Sequence, residues 1–163
     1  MNIIFEGPDN VGKGTQITNV FKYLANKTRR QPIWMHSANF GIKDEVQAYN
    51  YSMDWYEEMF EISANLWYSG KTVLHDRLHG GEWVYGFMYR GYQARYIYDI
   101  EKRFAESHPQ VFQDTYLIVF HDFPQNLLDR EDGLSFTAGL PFRERDRMKK
   151  QEIARFVDLH IEF

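Results

Sequence analysis

The chain contains no cysteine, which excludes a disulfide framework and any thiolate metal site. It has no long apolar run: "YLIVF", Tyr116 to Phe120, is typical of its longest stretches and falls far short of the ~20 residues that a membrane span needs. No basic, apolar leader opens it. The expectation is therefore a protein of a reducing cytoplasm, with no membrane partner. An excess of positive charge is also missing: 19 Lys and Arg against 23 Asp and Glu leave a net charge of −4. That balance argues against a nucleic-acid binder held by phosphate contacts, and any anion must be met by a local cationic pocket. Repeats, low-complexity tracts and linkers are absent. At 163 residues the chain reads as one domain, 1–163, too short for a two-domain enzyme.

Aromatic residues are plentiful at 17% and gather between Tyr49 and Tyr68 and between Glu82 and Tyr98. Core packing is the first reading for each, and a planar ligand such as a nucleobase is the second. Tyr51, Trp55 and Tyr56 are the stacking candidates.

Hydrophobic periodicity predicts a strand over Asn2–Glu6, a helix from about Lys13 to Lys27, and a second strand in "IWMHSA" after Pro32. A helix over 44–69 stops at Gly70, and "KTVLHD" is a third strand ending at Asp76. Residues 82–107 read as one long helix broken by "SHPQ". "TYLIVFHD", Thr115 to Asp122, reads as a fourth strand buried on both faces. Lys27, Arg29 and Arg30 complement the end of the first helix. Strands alternating with helices give an α/β fold, a doubly wound parallel sheet flanked by helices in three layers. Between helical stretches lies the polar segment "EDGLSFTAGLPFRERDR", a lid at about 131–147 or an idle loop.

The chemistry concentrates in "FEGPDNVGKGTQ", Phe5 to Gln16. Gly7-x4-Gly12-Lys13 stands directly after a strand and at the mouth of a helix, the context a phosphate-binding loop requires. Glycines let backbone N–H groups turn inward, the helix start adds positive potential, and Lys13 reaches the outer phosphates. Gly7, Asn10, Val11, Gly12, Lys13, Gly14 and Thr15 are thus the candidate phosphate cradle. Gly14 occupies the place where a magnesium-ligating serine or threonine is usual, which leaves Thr15 as the nearest hydroxyl. Asp9 reads equally as a turn former.

The order "GKGTQ" resembles adenylate and uridylate kinases, and "FEGPDNVGK" resembles thymidylate kinases and their deoxynucleoside monophosphate kinase relatives. The resemblance implies an acceptor-sugar contact for Asp9. "VLHDRLHGGEWVYGFMYRGY" is similar to the Asp-Arg-Tyr/His motif of that family, with Leu78 as a departure. It implies an acceptor-phosphate contact for Arg77 and a place near the metal for Asp76; the alternative is a surface ion pair. Its continuation, with Glu82, Tyr85, Tyr89 and Arg90, is most similar to the small kinases of tailed bacteriophages, and Glu82, Tyr85 and Arg90 join the substrate candidates. Phe40 and Lys43 follow the second strand where the family carries a phosphate-contacting loop. "RDRM" is nearest to the lid pattern of the family, with Arg130, Arg143, Arg145 and Arg147 available. Arg143 and Arg147 are assigned to catalysis beside Lys13 and Arg77, and Arg130 to the nucleotide. Asn10 stands where some members carry a catalytic arginine, which moves that role to the lid; a solvated, charged helix start is the alternative for each arginine. "SANLW", Ser63 to Trp67, is discounted because its spacing is wrong and the family's arginine is absent.

His75 and His79 do not offer helical zinc spacing, and no nucleophile elbow or glycosidase carboxylate pair stands out. A nucleoside acceptor would need a base, which related deoxynucleoside kinases place after the second strand; "IWMHSANFG" offers no acid before Asp44. The implied activity is ATP-dependent phosphorylation of a deoxynucleoside monophosphate, dTMP to dTDP by family default, with Mg2+ held by Thr15 and Asp76, directly or through water. A broad or different-base kinase, a deoxynucleoside kinase and a non-catalytic nucleotide-binding protein follow in that order. Family members usually continue past the lid helix with elements that help to hold adenine, whereas this chain ends at "HIEF". Lid residues or a homodimer interface would then share the donor base.

Overall fold

The computed structural model describes residues 1–37, 41–130, 133, 135 and 137–162. The elements run β1 (Asn2–Glu6), α1 (Lys13–Thr28), β2 (Ile33–His36), α2 (Glu45–Tyr68), β3 (Val73–Asp76), α3 (His79–Tyr89), α4 (Tyr96–Ser107), α5 (Pro109–Gln113), β4 (Thr115–Val119), α6 (Pro124–Asp129) and α7 (Phe142–Glu162). Among the described residues the strands form a four-stranded sheet in the order β2-β3-β1-β4. Every pairing is parallel, with Phe5 opposite Asp76 on one side and opposite Ile118 on the other. This is an α/β fold with helices flanking an all-parallel sheet.

β1 organises the core because its side chains alternate in direction. Ile4 joins Phe60 and Ala64 of α2 and Ile97 and Phe104 of α4. Phe5 and Leu74 instead join Ile17 of α1, with Ile3, Val20, Phe21 and Leu24 packed around them. Fully burying a side chain such as Phe5 contributes roughly 1.5–3 kcal/mol. α2 starts at Asp44, whose carboxylate accepts from the Gln47 N–H at 2.9 Å, and Gly70 follows its end at φ 71. His75 ties α2 to β3 through Ser63 Oγ at 3.1 Å. Burial lowers the His75 pKa to about 4, so it is neutral and structural.

Two expectations are corrected. Residues 82–107 form two helices, α3 and α4, separated by a turn in which Gly91 has φ 83. The turn was masked because Tyr92, Ala94 and Tyr96 are all buried, so apolar spacing runs straight through it. Gly86 admits the turn: a Cβ there would stand 2.9 Å from Tyr92 Cε2. β4 is an edge strand rather than one covered on both faces, with Tyr116 52% and Ile118 39% exposed. An apolar run shows hydrophobicity and not which neighbours will cover it.

Glu82 and Arg90 lie in the α3–α4 junction. Glu82 is buried, pairs with Arg90, and accepts from Tyr92 and from Tyr96 OH at 2.9 Å. The Tyr92 hydroxyl oxygen in turn accepts from Ser52 Oγ of α2 at 3.2 Å. Glu82→Ala would leave Arg90 and two hydroxyls with a lost acceptor. We expect about 3–5 kcal/mol less stability by urea unfolding; a loss below ~1 kcal/mol would show that the junction does not depend on this carboxylate.

Candidate functional site

The loop between β1 and α1 is shaped by backbone that most residues avoid. Gly7, Asn10 and Gly12 have φ of 144, 68 and 90. At Gly7 a Cβ would come within 2.5 Å of the Phe120 carbonyl oxygen, so only glycine fits. The coil turns the Gly7 and Pro8 carbonyls onto Lys13, whose buried Nζ donates to them at 3.0 and 2.9 Å. Burial, helped by the nearby Arg77 charge, lowers the Lys13 pKa to about 8. No side chain caps the amino end of α1, and Gly14 and Thr15 lie exposed there. Backbone N–H groups and a helix start thus remain directed at solvent, the setting that receives an anion. A Cβ at Gly14 would meet nothing within 4 Å, so its missing hydroxyl is not enforced by crowding.

The adjacent strand end supplies Arg77. Its N–H donates to the Phe5 carbonyl at 3.0 Å, and its φ of 67 turns the side chain back toward the loop. The guanidinium pairs with Asp9, donates to Tyr85 OH at 3.0 Å and lies 4.8 Å from the centre of the Tyr85 ring. Burial pushes the Asp9 carboxyl up, but Arg77 outweighs it and the net direction is down, so Asp9 is ionised. Glu6, buried at the end of β1, accepts from the Leu78 N–H at 2.8 Å, and burial raises its pKa. Gly80 and Gly81 leave room for it, since a Cβ at either would approach its side chain at 3.2 or 3.1 Å. Asp76 faces His36 Nδ1 at 3.1 Å.

α7 contributes Lys149, Glu152, Phe156 and Leu159, which no motif in the sequence marks, beside Arg145 of the lid candidates. Arg145, Lys149, Glu152, Phe156 and Leu159 follow i, i+4, i+7, i+11, i+14 spacing and so share one helix face. Phe156 and Leu159 pack on Val84 and Tyr85 of α3. Lys149 and Glu152 are fully buried and paired at 3.2 Å. Glu152 Oε1 accepts from the Asp9 backbone N–H at 3.0 Å and from Tyr85 OH at 2.7 Å. The sequence signal was that heptad-like spacing, which starts polar and ends apolar.

The structure thus brings together Gly7, Asp9, Lys13, Arg77 and Tyr85. Arg130 joins them from the end of α6, donating to the Asn10 carbonyl at 3.3 Å and pairing with Asp122 at 2.7 Å. Arg143 is exposed, and Arg147, 68% exposed, pairs with Glu144 at 3.8 Å. The inward arginine of α7 is Arg145, whose buried Nε has no hydrogen-bond partner. Glu82 and Arg90 answer each other as described above, and Tyr56 is part of the core. Phe40 and several residues of the 131–147 segment lie outside the described residues.

No protein-family model matches the chain, and no curated protein matches its sequence.

The arrangement sets Lys13 and an uncapped helix start at one strand end and Arg77 at the next, at the carboxyl edge where open α/β sheets bind ligands. Lys13 makes this pH-dependent. Its folded pKa lies below the ordinary 10.5, so burying the charged amine costs stability below about pH 8, and that cost fades as the pH rises toward 10.5. An anion binds the charged form. A polyphosphate probe held by this amine, its terminal phosphate already ionised over this range, would bind roughly 25-fold more weakly at pH 9.5 than at pH 7.5 by calorimetry. Constant affinity over that window would contradict the role of Lys13.

Proposed function

We propose that the chain is an ATP-dependent deoxynucleoside monophosphate kinase of the P-loop type, resembling thymidylate kinases and in particular phage members, with dTMP to dTDP as its leading reaction. The doubly wound, three-layer architecture of that class is part of this reading. The observation that carries it is the convergence of Lys13 and Arg77 from adjacent parallel strands, joined through Asp9. One cation suits a donor polyphosphate and the other an acceptor monophosphate.

In this reading the loop N–H groups from Asn10 to Thr15 and the Lys13 amine hold the β- and γ-phosphates of ATP, with Arg130 at the loop's outer edge. Arg77 grips the phosphate of the deoxynucleotide, and Asp9 and Tyr85 orient Arg77. An acceptor phosphate oxygen attacks the γ-phosphorus in line as the bond to the ADP oxygen breaks. The acceptor is already an anion, so no general base is needed. Catalysis is positioning and charge stabilisation, and α7 supplies further cations, with Arg145 on its inward face. Thr15 and Asp76 are the residues that would hold Mg2+, directly or through water, and the ion would supply charge neutralisation on the transferred group.

ADP release measured with dTMP, dGMP, dCMP, dAMP and dUMP in turn tests the reaction and its base preference together. We expect turnover that depends on at least one of them, and none with a nucleoside alone. Lys13→Ala and Arg77→Ala should each lower kcat/KM by about 100-fold or more with the fold intact by circular dichroism, and Arg145→Ala should lower it more than Arg143→Ala. ATP binding without acceptor-dependent turnover would instead support a non-catalytic nucleotide-binding protein.

A further inference from the structure

We propose that Glu152 is a positioning residue for the acceptor side of the site, holding Arg77 in place by closing a ring of hydrogen bonds through Asp9 and Tyr85. The inference rests on the kinase reading above. Arg77 Nη2 donates to Tyr85 OH at 3.0 Å, and Tyr85 OH donates to Glu152 Oε1 at 2.7 Å. That same oxygen accepts from the Asp9 N–H at 3.0 Å, and the Asp9 carboxylate returns to Arg77 Nη2. Burial keeps the Tyr85 hydroxyl protonated, with its pKa well above the ordinary value, so it can receive from Arg77 and give to Glu152 at once. The ring spans the loop after β1, the end of β3, α3 and α7. Asp9 and Tyr85 aim the guanidinium beside the longer contact to the Gly7 carbonyl at 3.4 Å, and both are held by one oxygen of Glu152.

Packing does not account for this carboxylate. The remainder of the α7 face docks through Phe156 and Leu159 onto Val84 and Tyr85. A buried Lys–Glu pair gives no more stability than apolar residues of similar volume. Yet Lys149 and Glu152 are both fully buried, and Tyr89 OH also reaches Glu152 Oε2 at 3.4 Å. What an apolar replacement cannot reproduce is acceptance from the Asp9 amide and from Tyr85. The second oxygen, neutralised by Lys149 at 3.2 Å, leaves the first free to act as a fixed acceptor.

Two double variants separate positioning from packing. Lys149→Met with Glu152→Leu removes both charges and opens the ring while keeping the volume. It should retain the melting temperature, raise the KM for the deoxynucleoside monophosphate about tenfold, and leave the KM for ATP within about twofold. Lys149→Met with Glu152→Gln keeps a neutral oxygen acceptor and should restore the acceptor KM to within about threefold of wild type. Tyr85→Phe breaks the ring at another node without touching α7 and should reproduce the acceptor-specific rise. An unchanged acceptor KM in the Leu variant and in Tyr85→Phe, or an equal rise for ATP and acceptor, would overturn the positioning role while the kinase reading stands. Absence of deoxynucleotide-dependent turnover in the wild-type protein would refute that reading and this inference with it.

Discussion

A guanidinium does not shed its charge in a protein, so where it is buried the surroundings must answer it. Arg77 is largely buried at the end of β3, its side chain 17% exposed, and the elements around it are arranged to do so. The loop after β1 offers Asp9 and the Gly7 carbonyl, the latter at 3.4 Å; α3 offers Tyr85; and α7 reaches in behind them with Glu152. The positive φ of Arg77, the glycines at 80 and 81, and the buried Glu6 that accepts from Leu78 all belong to the same local requirement. A strand end that would otherwise be an ordinary turn becomes the meeting point of the sheet with three other elements.

The charges at this point are matched. Lys13, Arg77 and Lys149 stand against Glu6, Asp9 and Glu152, and burial acts on two of these groups plainly. It presses Lys13 toward neutrality and raises the Glu6 carboxyl, whereas Asp9 stays ionised because Arg77 adjoins it. A phosphate entering such a site meets cations that already have partners. Its binding must draw Lys13 from the Gly7 and Pro8 carbonyls and share Arg77 with Asp9. Lys13 needs no large movement for this, because its present partners belong to the loop that would hold the phosphate.

Much of this was legible in the sequence. The glycine spacing with Lys13 placed the loop between β1 and α1, and alternation of strands and helices gave the α/β class with a parallel sheet. Asp76 and Arg77 were recognisable at the end of a strand. What was hidden is what depends on neighbours distant in the chain. Apolar spacing ran through the turn at Gly91 because Tyr92, Ala94 and Tyr96 are as buried as helix-face residues. The exposed face of β4 followed from its place at the sheet edge, which hydrophobicity does not encode. Among the α7 arginines, letter resemblance favoured Arg143 and Arg147, whereas helix phase turns Arg145 inward with Lys149 and Glu152. Glu152 lies 143 residues from Asp9, beyond the reach of any local pattern.

The central claim is that the crevice between the ends of β1 and β3 is a single site for two phosphate-bearing ligands, one seated by Lys13 and the other by Arg77. Calorimetric titration with adenosine and thymidine joined through a chain of phosphates tests it most directly, because such a molecule occupies both seats at once. The account predicts one-to-one binding, tighter than that of ATP or dTMP alone and weakened by about 100-fold in both Lys13→Met and Arg77→Met. Binding no tighter than ATP, and indifferent to Arg77→Met, would contradict it.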